Sequence, residues 1–194
     1  MRETSRRRLL ARALPTLLAA PLLSRGARAD ADAWTALRTP GHVALIRHAL
    51  APGNFDPAGF RLDDCTTQRN LSAEGRAQAT RIGDKFRTNG IAMAAVHSSQ
   101  WCRCLETATL LKLGAVVPQP LLNSFVQDAG QGARQVPAVK AWIAGLDLAR
   151  PAVLVTHQVV ITALSDVYPG SGEIVVMRRD AAGGLATVGR VATA

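Results

Sequence analysis

Two arginines and two histidines of this 194-residue chain stand where apolar runs end, and side chains of these types can together hold and attack a phosphoryl group. Arg47-His48-Ala49 follows His42-Val43-Ala44-Leu45-Ile46. Ala95-Val96-His97-Ser98-Ser99 leads to Arg103, and Ala152-Val153-Leu154-Val155-Thr156 runs directly into His157. Open α/β sheets hold ligands at the carboxyl ends of their strands, so three such segments deliver Arg47, His48, Arg103 and His157 to one sheet edge. One imidazole nitrogen can attack phosphorus while the other is held by a hydrogen bond that sets the tautomer. A guanidinium fork binds two phosphate oxygens at once. Phosphoryl transfer is catalysed largely by positioning and charge stabilisation, so this set calls for no metal and no other cofactor.

The elements that must position these residues are legible in the pattern. Asp30 to Gly41 is a short lead-in, helical around Trp34 to Leu37. After the first strand, a loop from about Ala49 to Leu71 carries Pro52, Gly53, Pro57 and Gly59, and loops of that length inside a compact domain are often functional. Ser72 caps a helix with Glu74 in its first turn; Ala79, Ile82 and Phe86 recur at helical spacing and Asn89-Gly90 ends it. Trp101, Cys104, Leu105, Ala108 and Leu111 form one stripe of the next helix, with Arg103 beside it in the first turn, near unpaired amides. A strand at about Ala115 to Val117 is followed by a helix facing inward with Val136, Val139, Ile143 and Leu146. The strand to His157 leads to a helix from about Val159 to Val167. Glu173 to Arg178 and Leu185 to Val191 make a closing hairpin through Gly183-Gly184. The expected fold is a three-layer α/β sandwich: a mostly parallel sheet, helices on both faces and a C-terminal hairpin.

Taken in order, these segments resemble the histidine phosphatase superfamily, also called phosphoglycerate-mutase-like, over roughly Val43 to Leu164. Arg47-His48-Ala49 matches its Arg-His-Gly triplet, with Ala for Gly. Ser99, Arg103, Thr107 and Ala108 match a Ser-x-x-x-Arg-x-x-x-Thr-Ala segment, and Asn70-Leu71-Ser72-x-x-Gly75 is similar to the Leu-Thr-x-x-Gly start of a helix. The resemblance implies that His48 is the nucleophile, that Arg47, Arg103 and His157 form the phosphate pocket, and that Asn54 contacts the phosphate; Gln158, next to His157, is taken as a further substrate-binding candidate by its position. Two departures bear on the leaving group. Where many relatives carry an acidic proton donor, Leu121-Leu122-Asn123 offers an amide, and Gln158 replaces the Gly or acidic residue that follows the second histidine elsewhere. Asp128 is the first substitute acid, with Asp63 or Asp64 next. Arg61 and Arg69 are read as solvated loop charges in preference to an extension of the pocket, His97 as structural, His42 as solvent-facing and Glu106 as part of a helix face.

Charge and cysteine use set the compartment. Residues 1–29 run from Ser5-Arg6-Arg7-Arg8 through a modestly apolar stretch to Ala27-Arg28-Ala29, the order of a twin-arginine secretory signal. Its apolar part, about 15 residues, is short of the roughly 20 that span a bilayer. The chain has 23 Lys+Arg and 14 Asp+Glu; seven Arg and one Glu lie in residues 1–29, leaving 16 and 13 and a net charge of +3. The basic character thus belongs mainly to the leader, and nucleic acid is not an expected partner. In an oxidising compartment a disulfide from Cys65 to Cys102 or to Cys104 is expected; Cys65 with Cys102 is one candidate pairing, and the sequence leaves the choice open. The expectation is a leader over 1–29 and a histidine-phosphatase-like domain over 30–194. That domain is read as an exported, metal-independent phosphatase for a small phosphorylated substrate such as an envelope sugar phosphate. The alternatives are a non-catalytic anion-binding member of the fold and a phosphohistidine phosphatase.

Overall fold

The computed structural model describes residues 24–193. The expected leader over 1–29 therefore lies largely outside the described residues. Six strands form one sheet: β1 (His42–Arg47), β2 (Ala95–Ser98), β3 (Val116–Pro118), β4 (Ala152–Thr156), β5 (Ile174–Arg179) and β6 (Leu185–Val191), in spatial order β3-β2-β4-β1-β5-β6. The first four are parallel, β5 lies antiparallel to β1, and β6 closes the edge as a hairpin with β5.

The helices are α1 (Ser24–Leu37), α2 (Ala73–Thr88), α3 (Cys102–Leu111), α4 (Ala129–Ala144) and α5 (Gln158–Ser165). One face of the sheet is covered by α1, α2 and α3, where Trp34, Ile82, Phe86 and Leu111 pack on Ala44, Ile46, Val153 and Val155. The opposite face is covered by α4 and α5, where Val139, Ile143, Val160 and Ile161 pack on Val43, Leu45, Leu154 and Val175. Alternate residues of β1 and β4 thus serve opposite cores, as the period of two requires, and both strands read as continuous apolar runs because both faces are buried.

Central position also corrects the expectation for His42. It begins the central strand β1, pairs with Arg178 across β5, and is only 9% exposed. Its Nδ1 lies 3.0 Å from the Thr39 carbonyl. The helical lead-in starts earlier than Trp34, since the backbone is already helical at Ser24.

The site is created by chain direction. After β1 the chain passes through α2 on one face; after β4 it passes through α5 on the other. Neighbouring parallel strands whose connections part in this way open a crevice at their carboxyl ends. The Arg47–Thr156 register sets His48 beside His157, and the amide of His48 continues the ladder to the Thr156 carbonyl at 2.9 Å. On the far side of β4, Ser99 does the same to the Val155 carbonyl at 2.9 Å.

Two local features hold α2 against the segment that leaves His48. Ser72 caps the helix, its Oγ accepting from the Gly75 amide at 3.0 Å. Gly75 itself lies so close to Leu50 that a Cβ would come 2.0 Å from the Leu50 carbonyl oxygen, a separation that only glycine permits.

Candidate functional site

Arg47, His48, Asn54, Arg69, Arg103, Ser124, Val126, His157, Gln158 and Val159 line one cavity of about 80 Å³ at the β1/β4 crevice. That is the space of roughly two or three water molecules, the scale of a phosphoryl group. The structure therefore gathers Arg47, His48, Asn54, Arg103, His157 and Gln158 at one point. Asn54 is on the exposed long loop, and Gln158 opens α5 with its Nε2 donating to Thr162 Oγ1 at 2.8 Å.

His48 is 3% exposed, and its Nδ1 lies 2.8 Å from the carbonyl of Ala49. A carbonyl only accepts, so Nδ1 carries the proton and Nε2 keeps its lone pair. Burial, with Arg103 next among the causes, lowers the imidazole pKa to about 3, which leaves the ring neutral at physiological pH. Ala49, in the place of the triplet's glycine, is itself buried, and its amide donates to Thr107 Oγ1 at 3.0 Å while that hydroxyl donates to the Arg103 carbonyl at 2.6 Å. Thr107 thus fastens α3 to the segment that leaves the histidine.

His157 is fixed through a different route. Its Nε2 lies 2.8 Å from Ser99 Oγ. The Ser99 hydroxyl donates to Asn123 Oδ1 at 3.1 Å, and the Gln100 amide donates to the same oxygen at 2.9 Å, while Asn123 Nδ2 donates to Gln100 Oε1 at 2.9 Å. With its own proton spent on Asn123, Ser99 accepts from His157, which places the proton on Nε2 and leaves Nδ1 free. Asn123 is therefore a positioning residue for His157. Burial, followed by the neighbouring His48 and the three arginines, holds the His157 imidazole well below its ordinary pKa.

Arg69 joins the pocket, contrary to its reading as a solvated loop charge. Its NH1 donates to the Ala51 carbonyl, and its backbone amide donates to Asp56 Oδ1 at 3.0 Å. Arg61, by contrast, is exposed and paired with Asp64 at 2.5 Å. The Nε atoms of Arg47, Arg69 and Arg103 are all buried without a hydrogen-bond partner. Burial lowers the pKa of Arg47 and of Arg69, and Arg103 beside them adds to it. Such donors, stripped of water and left unmatched, suit an anion.

Asp56, which sequence reasoning missed, organises this charge. Its carboxylate receives Arg103 NH1 at 2.7 Å and NH2 at 3.1 Å, the Arg69 amide and Trp101 Nε1 at 3.0 Å. The side chains of the Arg103–Asp56 pair are 5% and 7% exposed. Burial works against the charge of Asp56, but the hydrogen bonds from Arg103, Arg69 and Trp101 outweigh it and hold the carboxyl below its ordinary range. Asp56 therefore stays ionised. With both histidines neutral, three guanidinium groups and one carboxylate leave two positive charges, the match for a phosphate monoester dianion.

The expected substitute acids fall elsewhere. Asp63 and Asp64 face Arg61 outside the cavity. Asp128 caps α4, its Oδ1 accepting from the Gln131 amide at 3.1 Å, and lines an adjoining cleft of about 260 Å³. That cleft shares Asn54, Arg103, Ser124 and Val126 with the anion cavity and is walled by Phe55, Phe60 and Trp101. Of the remaining candidates, His97 packs edge-on against Trp142 and Glu106 pairs with Arg76 at 3.5 Å. Cys65 is joined to Cys102, which ties the long loop to the start of α3 one residue before Arg103. Cys104 is a buried thiol whose pKa burial pushes up to about 12. Among the described residues, no three His, Cys, Asp or Glu side chains gather to hold a metal ion.

Fold and cavity define an open α/β protein with a cationic, histidine-bearing anion site at the sheet's switch point. The profile of the histidine phosphatase superfamily (branch 1) matches residues 43–124. Among solved structures, the protein histidine phosphatase SixA complexed with tungstate superposes with a TM-score of 0.59 at 17% identity, covering 78% of this chain and 97% of that one. A candidate α-ribazole-5′-phosphate phosphatase from Escherichia coli gives 0.60 at 15% identity over 80% and 98%. A phosphoserine phosphatase mutant from Entamoeba histolytica, in complex with phosphoserine, gives 0.57 at 14% over 78% and 97%. These likenesses are of fold; no curated protein sequence matches the chain. Over residues 43–124 the chain is thus similar to the histidine phosphatase superfamily (branch 1), and it shares the fold of these solved phosphatases.

Two expectations follow from the charge arrangement. His48 and His157 take up protons in the unfolded chain near the ordinary pKa of 6.5, but His48 does so in the folded chain only near 3 and His157 well below 6.5. Between about pH 6.5 and 3 the unfolded state therefore binds more protons, and stability falls as the pH falls. Thermal melts from pH 7 to pH 4 are expected to show a falling Tm, with a shallower fall in the His48→Asn, His157→Gln double variant. Asp56→Ala leaves Arg103 buried without its counter-charge and is expected to cost about 3–5 kcal/mol in urea unfolding.

Proposed function

We propose that the chain is an exported phosphatase that hydrolyses a small phosphomonoester through a phosphohistidine on His48. The observation that carries this reading is the neutral His48 imidazole, its proton held on Nδ1 by Ala49, set in a cavity with three guanidinium groups. Arg47, Arg69 and Arg103 take the equatorial oxygens, while Nε2 attacks phosphorus and the bond from phosphorus to the ester oxygen breaks. Water then cleaves the nitrogen–phosphorus bond and the histidine returns to its neutral form. Because the protein cations supply the charge stabilisation, the reaction is proposed to need no metal.

Asp128 is assigned the proton donor to the ester oxygen. It stands in the cleft that opens from the cavity, with one carboxylate oxygen free of the cap bond, whereas Asp56 is saturated by donors. The same cleft, with aromatic walls and Asn54, Gln127 and Gln131 on its rim, supports a phosphorylated envelope sugar as the substrate. A phosphohistidine substrate is the second reading, favoured by the fold shared with SixA and by the amide at Asn123. The export proposal rests on the order of residues 1–29 and on the Cys65–Cys102 disulfide, a bond that persists in oxidising compartments.

With EDTA present, the protein is expected to turn over p-nitrophenyl phosphate and to yield an acid-labile phosphoenzyme, and His48→Ala to lose both; equal rates in the two proteins would refute the mechanism. Asp128→Asn is expected to slow alkyl phosphates at least tenfold while sparing the nitrophenyl ester, whose leaving group departs unprotonated. Expression of the full chain followed by cell fractionation checks export, with recovery in the cytoplasm alone as the contrary result.

A further inference from the structure

Beyond the anion cavity and the cleft lies a third hollow, a groove of about 560 Å³ between α4 and α5. Phe125, Val126, Val136, Pro137, Val159 and Ala163 line it, and no charged side chain does. Its floor is closed where the Phe125 ring packs on Gly132, so near that a Cβ would lie 2.8 Å from the ring. Val126 is 56% exposed, an apolar surface that water covers at a cost.

The groove is continuous with the site. Val126 lines the groove, the cavity and the cleft, and Val159 lines both groove and cavity. A cationic cavity opening onto an uncharged groove is complementary to a molecule with an anionic head and an apolar chain. A partner protein or a second copy seated in the groove would cover Val126 and Val159, and with them the mouth of the cavity. A chain attached to the substrate fills the groove without that cost. The volume falls in the range of ligand sites, roughly 300–1,000 Å³.

We infer that the α4/α5 groove binds the apolar chain of an amphiphilic phosphomonoester whose phosphoryl group occupies the His48 cavity. This inference rests on the phosphatase reading for turnover, but the binding it describes does not require turnover. The substrate class is an acyl- or alkyl-bearing phosphate, an acylated sugar phosphate included.

Ala163 and Ala133 are exposed and stand outside the catalytic set, so Ala163→Trp and Ala133→Trp fill the groove without touching the cavity. Calorimetric titration with ethyl and decyl phosphonate, both non-hydrolysable and used below micelle formation, is expected to show at least tenfold tighter binding of the decyl compound. The gain per buried methylene is up to about fourfold. Each Trp variant is expected to lose that gain and to bind ethyl phosphonate like the unaltered protein. In parallel, kcat/KM for n-alkyl phosphates is expected to rise with chain length. Equal binding of the two phosphonates, or an undiminished gain in both Trp variants, overturns the inference, as does a concentration-dependent dimer in sedimentation that Ala163→Trp abolishes. Failure to hydrolyse any ester, with the decyl preference intact, overturns the phosphatase reading and leaves the groove assignment standing.

Discussion

Three guanidinium groups around one small cavity, Arg103 buried and Arg47 and Arg69 partly so, repel one another, and the ion pair between Arg103 and Asp56 makes that arrangement tenable. Its two hydrogen bonds at 2.7 and 3.1 Å hold Arg103 in the first turn of α3, and the same carboxylate receives the Arg69 amide and the indole of Trp101. Four donors on one buried carboxylate offset the cost of taking it out of water. The pair also anchors the long loop between β1 and α2, so Asn54 and Arg69 are held at the cavity although no regular element carries them. The Cys65–Cys102 disulfide fastens the same loop to the same turn of α3 by a covalent route. Loop and helix start thus behave as one unit with the sheet edge.

Against that cationic background, the two histidines are neutral for a shared reason and poised differently. Burial and the neighbouring arginines disfavour the imidazolium in both. The Ala49 carbonyl holds the proton of His48 on Nδ1, whereas the path through Ser99 to Asn123 holds that of His157 on Nε2. Orientation of each ring comes from a fixed oxygen rather than from another charge. The amide at Asn123, read along the chain as a missing proton donor, thus has a structural task that a free carboxylic acid would not perform in the same way.

Sequence reading succeeded where one local rule decided the outcome and failed where two distant segments had to meet. The strands of Ala44 to Ile46 and Val153 to Val155 were legible because residues buried on both faces make unbroken apolar runs, and α2 because Ser72 and Gly90 mark its ends. His42 was misread as solvent-facing because its neighbours in sequence do not show that β5 pairs over it. Arg69 looked like a loop charge because solvation is the common fate of such residues; only the closeness of Ala51 and Asp56 draws it inward. Asp56 gave no signal, since an isolated loop aspartate has no periodicity and its partners lie 13, 45 and 47 positions away.

By itself the sequence determined that apolar strands end in Arg47-His48 and His157, that a helix begins beside Arg103, and that these residues have the chemistry of phosphoryl transfer. Those are properties of local pattern and side-chain type, which need no partner. Tertiary structure alone decided that β4 lies between β1 and β2, and with it that the two imidazoles stand 5.6 Å apart beneath the guanidinium groups. It also decided that Asp56, of the two carboxylates lining the cleft, neutralises Arg103, while Asp128 keeps one oxygen outside its cap bond. Charge balance and proton placement depend on distances across the fold, and no local stretch of sequence encodes such a distance.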